Sequence, residues 1–399
     1  MAVSFHSVYA PVAAELDELL PNRTTVVDAH THLGADEDGQ SLDLHGLLGH
    51  LDQVDGAARA CVFPFHDPER QPGYRVPNDR VLEWARQSGG RLFPYCRLDP
   101  SEEPVQEARR CLTLGARGIK LHPRAQAFGF GNAAAASIFE VARDAGVPIL
   151  IHAGRGMPSM APLADLALRY PEVPLVLAHA AIADQGMFAS RLADHPTVVY
   201  DTSCFSGVDV VELFARVPAE RIVFASDVPY GRPVGGLFLA LRAAMYAGLD
   251  ISERTALAGG TMTAVLEGRP LPQVQPPRVS QIRPTSGRLA RVGAYLVMAF
   301  SAVMSGGRPP DATRGLPGIA LARAACRDPD PGVVGPALER IDALLAGAES
   351  LIVEGGEDGF LAFGLIMTAG AIAATEPVVM ESSSDARLGS QPPLVDRQP

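Results

Sequence analysis

TTVVDAHTHLG, residues 24 to 34, runs from a β-branched stretch straight into two histidines one residue apart. The chain holds only ten histidines, so their placement here calls for a reason. Side chains alternate across a strand, which puts Asp28, His30 and His32 on one face. Two imidazoles about 6–7 Å apart along a strand can converge on a single cation. Two ligands hold a divalent ion poorly, so the rest of the chain must supply more.

Working outward, similar apolar runs recur: TVVDAHTH (25–32), ARACVFPF (58–65), RLFPYCRL (91–98), ARGIKLH (116–122), VPILIHA (147–153), VPLVLAHA (173–180), TVVYDTS (197–203) and RIVFASD (221–227). Most are near-continuously apolar, as suits strands buried on both faces of a parallel sheet. Helical stripes separate them. Leu44, Leu47, Leu48, Leu51 and Val54 make one; Ile138, Val141, Ala142 and Ala145 another; Leu163, Leu166, Ala167 and Tyr170 a third. Eight strands alternating with helices over roughly 250 residues predict a (β/α)8 barrel. An open doubly wound sheet is the rival, but no Gly-rich phosphate turn follows the first strand.

The barrel is expected to occupy residues 1–268. Residues 269–288 are rich in proline and read as a linker. Residues 289–378 then read as a small all-helical domain, and 379–399 as a disordered tail. The run FLAFGLIMTAGAIAA (360–374) is too short for the ~20 residues a membrane span needs, so it reads as a buried helix.

Bulk composition narrows the function. The net charge is −11, which argues against nucleic acid, since phosphate binding needs concentrated basic surface. The five cysteines are scattered, without a CxxC pair, and read as reduced thiols of a cytoplasmic protein. The N-terminus lacks the basic start and apolar core of a signal peptide. The expected partner is a small-molecule substrate, with no nucleic acid and no membrane. The helical addition could serve as a homodimer contact or a lid.

The further ligands lie at strand ends. His152 closes ILIHAG, His179 closes LVLAHA, and Asp227 closes VFASD. Chemistry in a parallel barrel gathers at the C-terminal ends of its strands. Any one of these histidines alone would read as an ordinary strand-end polar residue. Five ligand-type residues at four strand ends would not.

In this order DAHTHLG, GIKLHP, ILIHAG, LVLAHA and FASDVPYG resemble the amidohydrolase superfamily, and within it the amidohydrolase-related branch that includes decarboxylases of the aminocarboxymuconate-semialdehyde type. The likeness spans about residues 24–268. LAGGTMTAVLEG resembles the family's closing helix, with Thr261 where an Asn is usual. The resemblance implies His30, His32 and His152 as metal ligands. Asp227 would ligate the metal or take a proton from its water, and His179 would activate that water or polarise the substrate. One divalent ion is expected, zinc first, with manganese, iron or cobalt as alternatives.

Lys120 lies in GIKLHP. In some superfamily members a lysine there is carbamylated and bridges two metals; here one ion already has a full shell, so Lys120 reads as a partner of a carboxylate or of an anionic substrate. Arg97, Arg124 and Arg155 lie just past strand ends and could grip a substrate carboxylate. Asp201 could support a histidine from behind. The first functional expectation is a metal-dependent hydrolase cleaving a C–N or C–O bond. The alternatives are non-oxidative decarboxylation of a small unsaturated or aromatic acid, and a non-catalytic metal-binding or interaction protein on the same barrel.

Overall fold

The structure is a computed structural model. It describes residues 12, 14–21, 24–204, 206–278, 285–304, 311–327, 332–354 and 359–376. The expected tail, 379–399, lies outside them, as do residues 279–284 of the expected linker.

Eight parallel strands form the barrel: β1 (Val27–Ala35), β3 (Arg59–Pro64), β4 (Leu92–Arg97), β5 (Gly118–Leu121), β6 (Ile149–Ile151), β7 (Leu175–Leu177), β8 (Val198–Asp201) and β9 (Ile222–Val223). They pair in chain order. The sequence reading misses a short antiparallel strand, β2 (Ser41–Leu42), which folds back on the end of β1. Past β9 the chain closes the barrel on β1. Ala29 donates its N–H to the Phe224 carbonyl (2.9 Å), Asp227 to His30 (2.9 Å) and His32 to Val228 (3.0 Å).

Two apolar layers follow from the alternation of strand side chains. Cys61, Phe63, Tyr95, Leu150, Val176, Val199, Val223 and Ala225 fill the barrel interior. Ala60, Val62, Cys96, Ile119, Ile149, Ile151, Leu175 and Leu177 pack outward against the helices. Parity therefore fixes which strand-end residues face the mouth. Arg97 follows Tyr95 inward, Asp201 follows Val199, His152 follows Leu150, and Asp227 follows Ala225.

β1 breaks that rule. Val27 and Ala29 belong to the inner layer, so unbroken alternation would turn His30 and His32 outward. The pairing with β3 slips between Asp28 and Thr31, and beyond the slip His32 lies opposite the inward Phe63. This bulge aims both imidazoles into the barrel. Asp28, opposite the outward Ala60, does not share their face, contrary to the sequence reading. Its Oδ1 accepts the N–H groups of His30 (3.1 Å) and Ser226 (2.9 Å), tying the bulge to the closing segment.

Gly259 seats the helical segment under the barrel. A Cβ there would lie 2.2 Å from the Thr25 carbonyl oxygen and 2.9 Å from the Val27 nitrogen. Only glycine allows that approach.

Four α-helices follow among the described residues: Gly287–Met304, Leu316–Cys326, Gly335–Glu354 and Gly359–Thr375. The last packs on two barrel helices, Gly207–Arg216 and Pro233–Tyr246. It is buried almost all round, through residues such as Leu361, Leu365, Ile366, Ala369 and Ile372. Arg242 of the barrel reaches its end, donating to Thr375 Oγ1 (3.0 Å) and pairing with Glu376 (2.8 Å). The described part of the proline-rich stretch lies along the barrel, where Arg221 donates to the Pro272 carbonyl (2.9 Å). Among the described residues no helix is long and apolar enough to cross a membrane.

Candidate metal centre

All eight parallel strands send residues to the mouth. His30, His179 and Asp227 meet there, each buried, with one ligand atom apiece lying within 4.8 Å of the other two. His30 arrives through the bulge. His179 arrives through a turn, since alternation from Val176 and Ala178 would send it outward. Instead β7 ends at Leu177, and His179, Ala180 and Ala181 take left-handed backbone conformations (φ 55°, 54° and 49°). Asp227 is left-handed as well (φ 59°). Such geometry costs about 1–2 kcal/mol per non-glycine residue and persists where surroundings enforce it.

Both histidines are anchored from behind. His30 Nδ1 lies 2.9 Å from Asp201 Oδ2. His179 Nδ1 lies 3.0 Å from the Ser203 carbonyl oxygen. Each acceptor calls for a proton on Nδ1, which leaves the Nε2 lone pair facing the cluster. Asp201 unites the two anchors. Its Oδ1 accepts the backbone N–H of His179 (2.8 Å), the N–H of Ser203 (3.0 Å) and the Ser203 hydroxyl (2.6 Å).

That arrangement tests whether a cation fits. His30 Nε2 lies 3.1 Å from Asp227 Oδ1. A lone pair and a carboxylate oxygen repel at that distance unless positive charge lies between them. Burial pulls the His30 pKa down and Lys120 adds to that, but Asp227 and Asp201 outweigh both and raise it. Asp227 answers in kind. Burial pushes its carboxyl up, yet the charge and hydrogen bond of His30 and the hydrogen bond of His32 hold it well below the usual carboxylate range. Two imidazole nitrogens, their far edges held, and a carboxylate oxygen form a donor set that suits a divalent ion.

The other expected ligands lie one step away. His32 Nε2 is 3.0 Å from Asp227 Oδ1. Its ring stacks on Phe65 and meets Phe63 and Tyr230 edge-on, and its Nδ1 is buried without a partner among the described residues. Burial pushes its pKa down to about 3. His152 is expected to ligate and His179 to assist; His179, not His152, belongs to the His30–His179–Asp227 cluster. His152 Nδ1 lies 3.0 Å from His179 Nε2, and its ring stacks on His122 at 3.8 Å. His152 therefore sits outside the three-residue set. Gly154 makes room for this packing, since a Cβ there would lie 3.1 Å from His152 Nε2 and 3.3 Å from His179 Cδ2.

The four substrate-binding candidates divide in two. Lys120 is fully buried, its Nζ 3.4 Å from His30 Nε2 and 4.3 Å from the Phe63 ring centroid. Arg97 is also buried. Arg124 and Arg155 are exposed at the rim; Arg124 donates to the Arg155 carbonyl (3.5 Å), and Arg155 pairs with Asp209 (3.2 Å). The sequence reading passed over Ser203, although it lies two residues beyond Asp201 in YDTS.

A family model described as amidohydrolase matches residues 27–266, from β1 through the helix under the barrel. Comparison with curated proteins gives no match. Among solved structures, the chain is similar to a probable 2-pyrone-4,6-dicarboxylic acid hydrolase from Acinetobacter baumannii, at 14% identity over 61% of this chain and 99% of that one, with a TM-score of 0.47. It is also similar to 5-carboxyvanillate decarboxylase from Sphingomonas paucimobilis, at 13% identity over 61% and 99%, with a TM-score of 0.45. The family match covers more than half of the chain and contains every residue of the His30–His179–Asp227 cluster: the chain belongs to the amidohydrolase family.

Proposed function

We propose that the barrel mouth is the active site of a metal-dependent hydrolase that cleaves a C–N or C–O bond in a small substrate. The observation that carries this reading is the convergence of His30, His179 and Asp227 at three strand ends, with the Nδ1 atoms of both histidines turned away onto fixed acceptors. These three residues would hold one divalent ion, zinc first, because imidazole and carboxylate donors suit it. When bound, such an ion acidifies water and polarises a carbonyl or similar group.

The chain's own groups do the rest. Asp227 is held ionised, so it can accept a proton from the attacking water and return it to the leaving group. His32 donates to Asp227 Oδ1 and fixes the carboxylate's orientation. His152 stands next to His179, and its ring stacks on half-buried His122. Phe63, Phe65 and Tyr230 exclude water from the His32 side. All five cysteines are free and buried, which suits a reducing, cytoplasmic setting.

The buried Arg97 supports a second reading, non-oxidative decarboxylation on the same scaffold, in which the arginine would hold the acid. The test is metal analysis combined with Asp227→Asn. The purified protein should carry close to one divalent ion per chain. The variant should hold that metal more weakly, through His30 and His179, while turnover per bound ion on a panel of amides, esters and lactones falls about 100-fold or more. A variant with full metal and full rate would remove Asp227 from the chemistry. Acid substrates losing carbon dioxide, with the panel untouched, would select the second reading.

A further inference from the structure

The helix Gly359–Thr375 lies outside the stretch that matches the family, and it packs on two particular helices of the barrel. Gly207–Arg216 follows the end of β8, where Asp201 and Ser203 hold both cluster histidines. Pro233–Tyr246 follows the segment that carries Asp227. The helical unit therefore rests on the continuations of the two strand ends that fix the cluster.

Both contacts are close. Gly207 opens the first barrel helix, and a Cβ on it would lie 2.6 Å from the Gly370 carbonyl oxygen and 2.9 Å from Ala374 Cβ. On the second, buried Arg242 clasps the end of the last helix through Thr375 and Glu376, and it also pairs with Glu15. Glu15 pairs in turn with Arg340 of Gly335–Glu354 (2.5 Å). In the first turn of the same barrel helix, a Cβ on Gly236 would lie 3.5 Å from Ser226 Cα, next to Asp227 in the chain. The two strand ends are tied to each other as well. Thr202 donates its N–H to the Val223 carbonyl (3.0 Å), and its Oγ1 accepts the Ala225 N–H (3.1 Å).

The strain of the site falls on what these ends hold, since His179 and Asp227 are both left-handed (φ 55° and 59°). Strained backbone persists where its surroundings over-determine it. A helix laid across both barrel helices restricts their sliding, and with it the strand ends they continue. We infer that Gly359–Thr375 is a brace for the metal centre: its docking keeps Asp201, Ser203 and Asp227 in register and so sets the affinity for the ion. Ala374 and Arg242 are then positioning residues. The inference rests on the reading of His30, His179 and Asp227 as ligands. Coupling of this kind is reciprocal, so metal binding must favour docking by the factor by which docking favours metal binding.

The experiment uses the full chain, stripped by a chelator and reloaded with zinc or cobalt(II). Competition with a chromophoric chelator gives the zinc affinity, and the visible absorption of the cobalt form reports ligand geometry. Ala374→Val presses on Gly207 from within the helical unit, and Arg242→Gln opens the clasp from the barrel side. Each should weaken zinc binding about threefold or more and alter the cobalt bands, and Arg242→Lys should restore part of both. Ile319→Ala is the control. It opens a cavity in Leu316–Cys326, which packs on Gly287–Met304 and Gly335–Glu354, so it should lower stability to urea and leave both metal readouts alone. A loss of affinity in Ile319→Ala as large as in the other two overturns the inference, because affinity then follows overall stability. So does an unchanged zinc affinity in Ala374→Val and Arg242→Gln. Should neither variant fold, hydrogen exchange on wild type decides: saturating zinc should slow exchange in Gly359–Thr375 more than in Leu316–Cys326, and equal slowing or none overturns the brace. His30→Ala separates the two readings. If it abolishes zinc binding while Ala374→Val and Arg242→Gln bind normally, the metal centre stands and the brace falls. If it leaves zinc binding intact, the reading of the cluster falls and takes the brace with it.

Discussion

Replacing Asp201 by Asn should loosen metal binding through a proton rather than through a ligand. The carboxylate is fully buried and accepts four hydrogen bonds. Three fall on Oδ1, from His179 N, Ser203 N and Ser203 Oγ. One falls on Oδ2, from His30 Nδ1. An asparagine can keep its oxygen at the Oδ1 position, but its amide NH2 then faces His30 Nδ1. Two donors cannot share that 2.9 Å gap, so His30 must carry its proton on Nε2, the atom that faces Asp227. Flipping the amide instead would set NH2 against two backbone N–H groups, at about 1–3 kcal/mol for each orphaned group. The unflipped form should therefore prevail. Exchanging a charge-assisted bond (~1.5–3 kcal/mol) for a neutral one (~0.5–1.5 kcal/mol) predicts a stability loss of about 1–2 kcal/mol. Loss of a group that orients a metal-binding histidine typically costs 10–100-fold in affinity. Competition against a chromophoric chelator measures the second figure, and urea unfolding the first. Ser203→Ala serves as the control, because it removes one bond to Asp201 and leaves the His30 tautomer alone; its metal affinity should fall less. An Asp201→Asn protein whose metal Kd stays within about twofold of wild type would refute the tautomer argument.

Two other predictions concern the frame around the site. Burial, then the charge of Arg232, push His50 down to about 4 from 6.5, with Arg232 donating to its Nε2 at 2.8 Å. The unfolded chain therefore binds the extra proton first, so stability is full above pH 6.5 and is lost as pH falls towards 4. His50→Gln should flatten the dependence of urea stability on pH in that window by up to about 1.4 kcal/mol per pH unit; an unchanged slope would remove His50 as a contributor. Gly207 lies under the last helix, where a Cβ would meet the Gly370 carbonyl oxygen at 2.6 Å and Ala374 Cβ at 2.9 Å. Gly207→Val should cost about 1–3 kcal/mol and should speed tryptic cleavage in residues 269–288. Unchanged stability and cleavage would mean that the helical unit does not rest on this seat.

What the sequence made legible, and what it hid, divides along one physical line. All eight barrel strands were readable, because strands buried on both faces are written as apolar runs, and helical stripes separated them. The chemistry was readable too, in the histidines and aspartates that interrupt those runs at their ends. Periodicity reports regular backbone, however, and the site is assembled where the backbone is irregular. Regular alternation would turn His30, His32 and His179 away from the interior. A bulge in β1 and three successive left-handed residues after β7 turn them back. Neither irregularity is marked by glycine, the residue whose presence would have signalled it. The sequence reading reached the mouth for His30 and His32 by counting parity within HTH alone, and it missed that Asp28 lies on the opposite face. His152 and His179 close apolar runs in the same way, and only His179 joins the three-residue cluster. What separates them is the backbone amide and Nδ1 of His179, both fixed by the Asp201–Ser203 pair at the end of the neighbouring strand β8, more than twenty residues away in sequence. The strain held at His179 and Asp227 thus falls on the two residues that complete the cluster with His30. A fold free to relax would have placed smaller or more flexible residues there, so the cost is retained for the geometry it imposes.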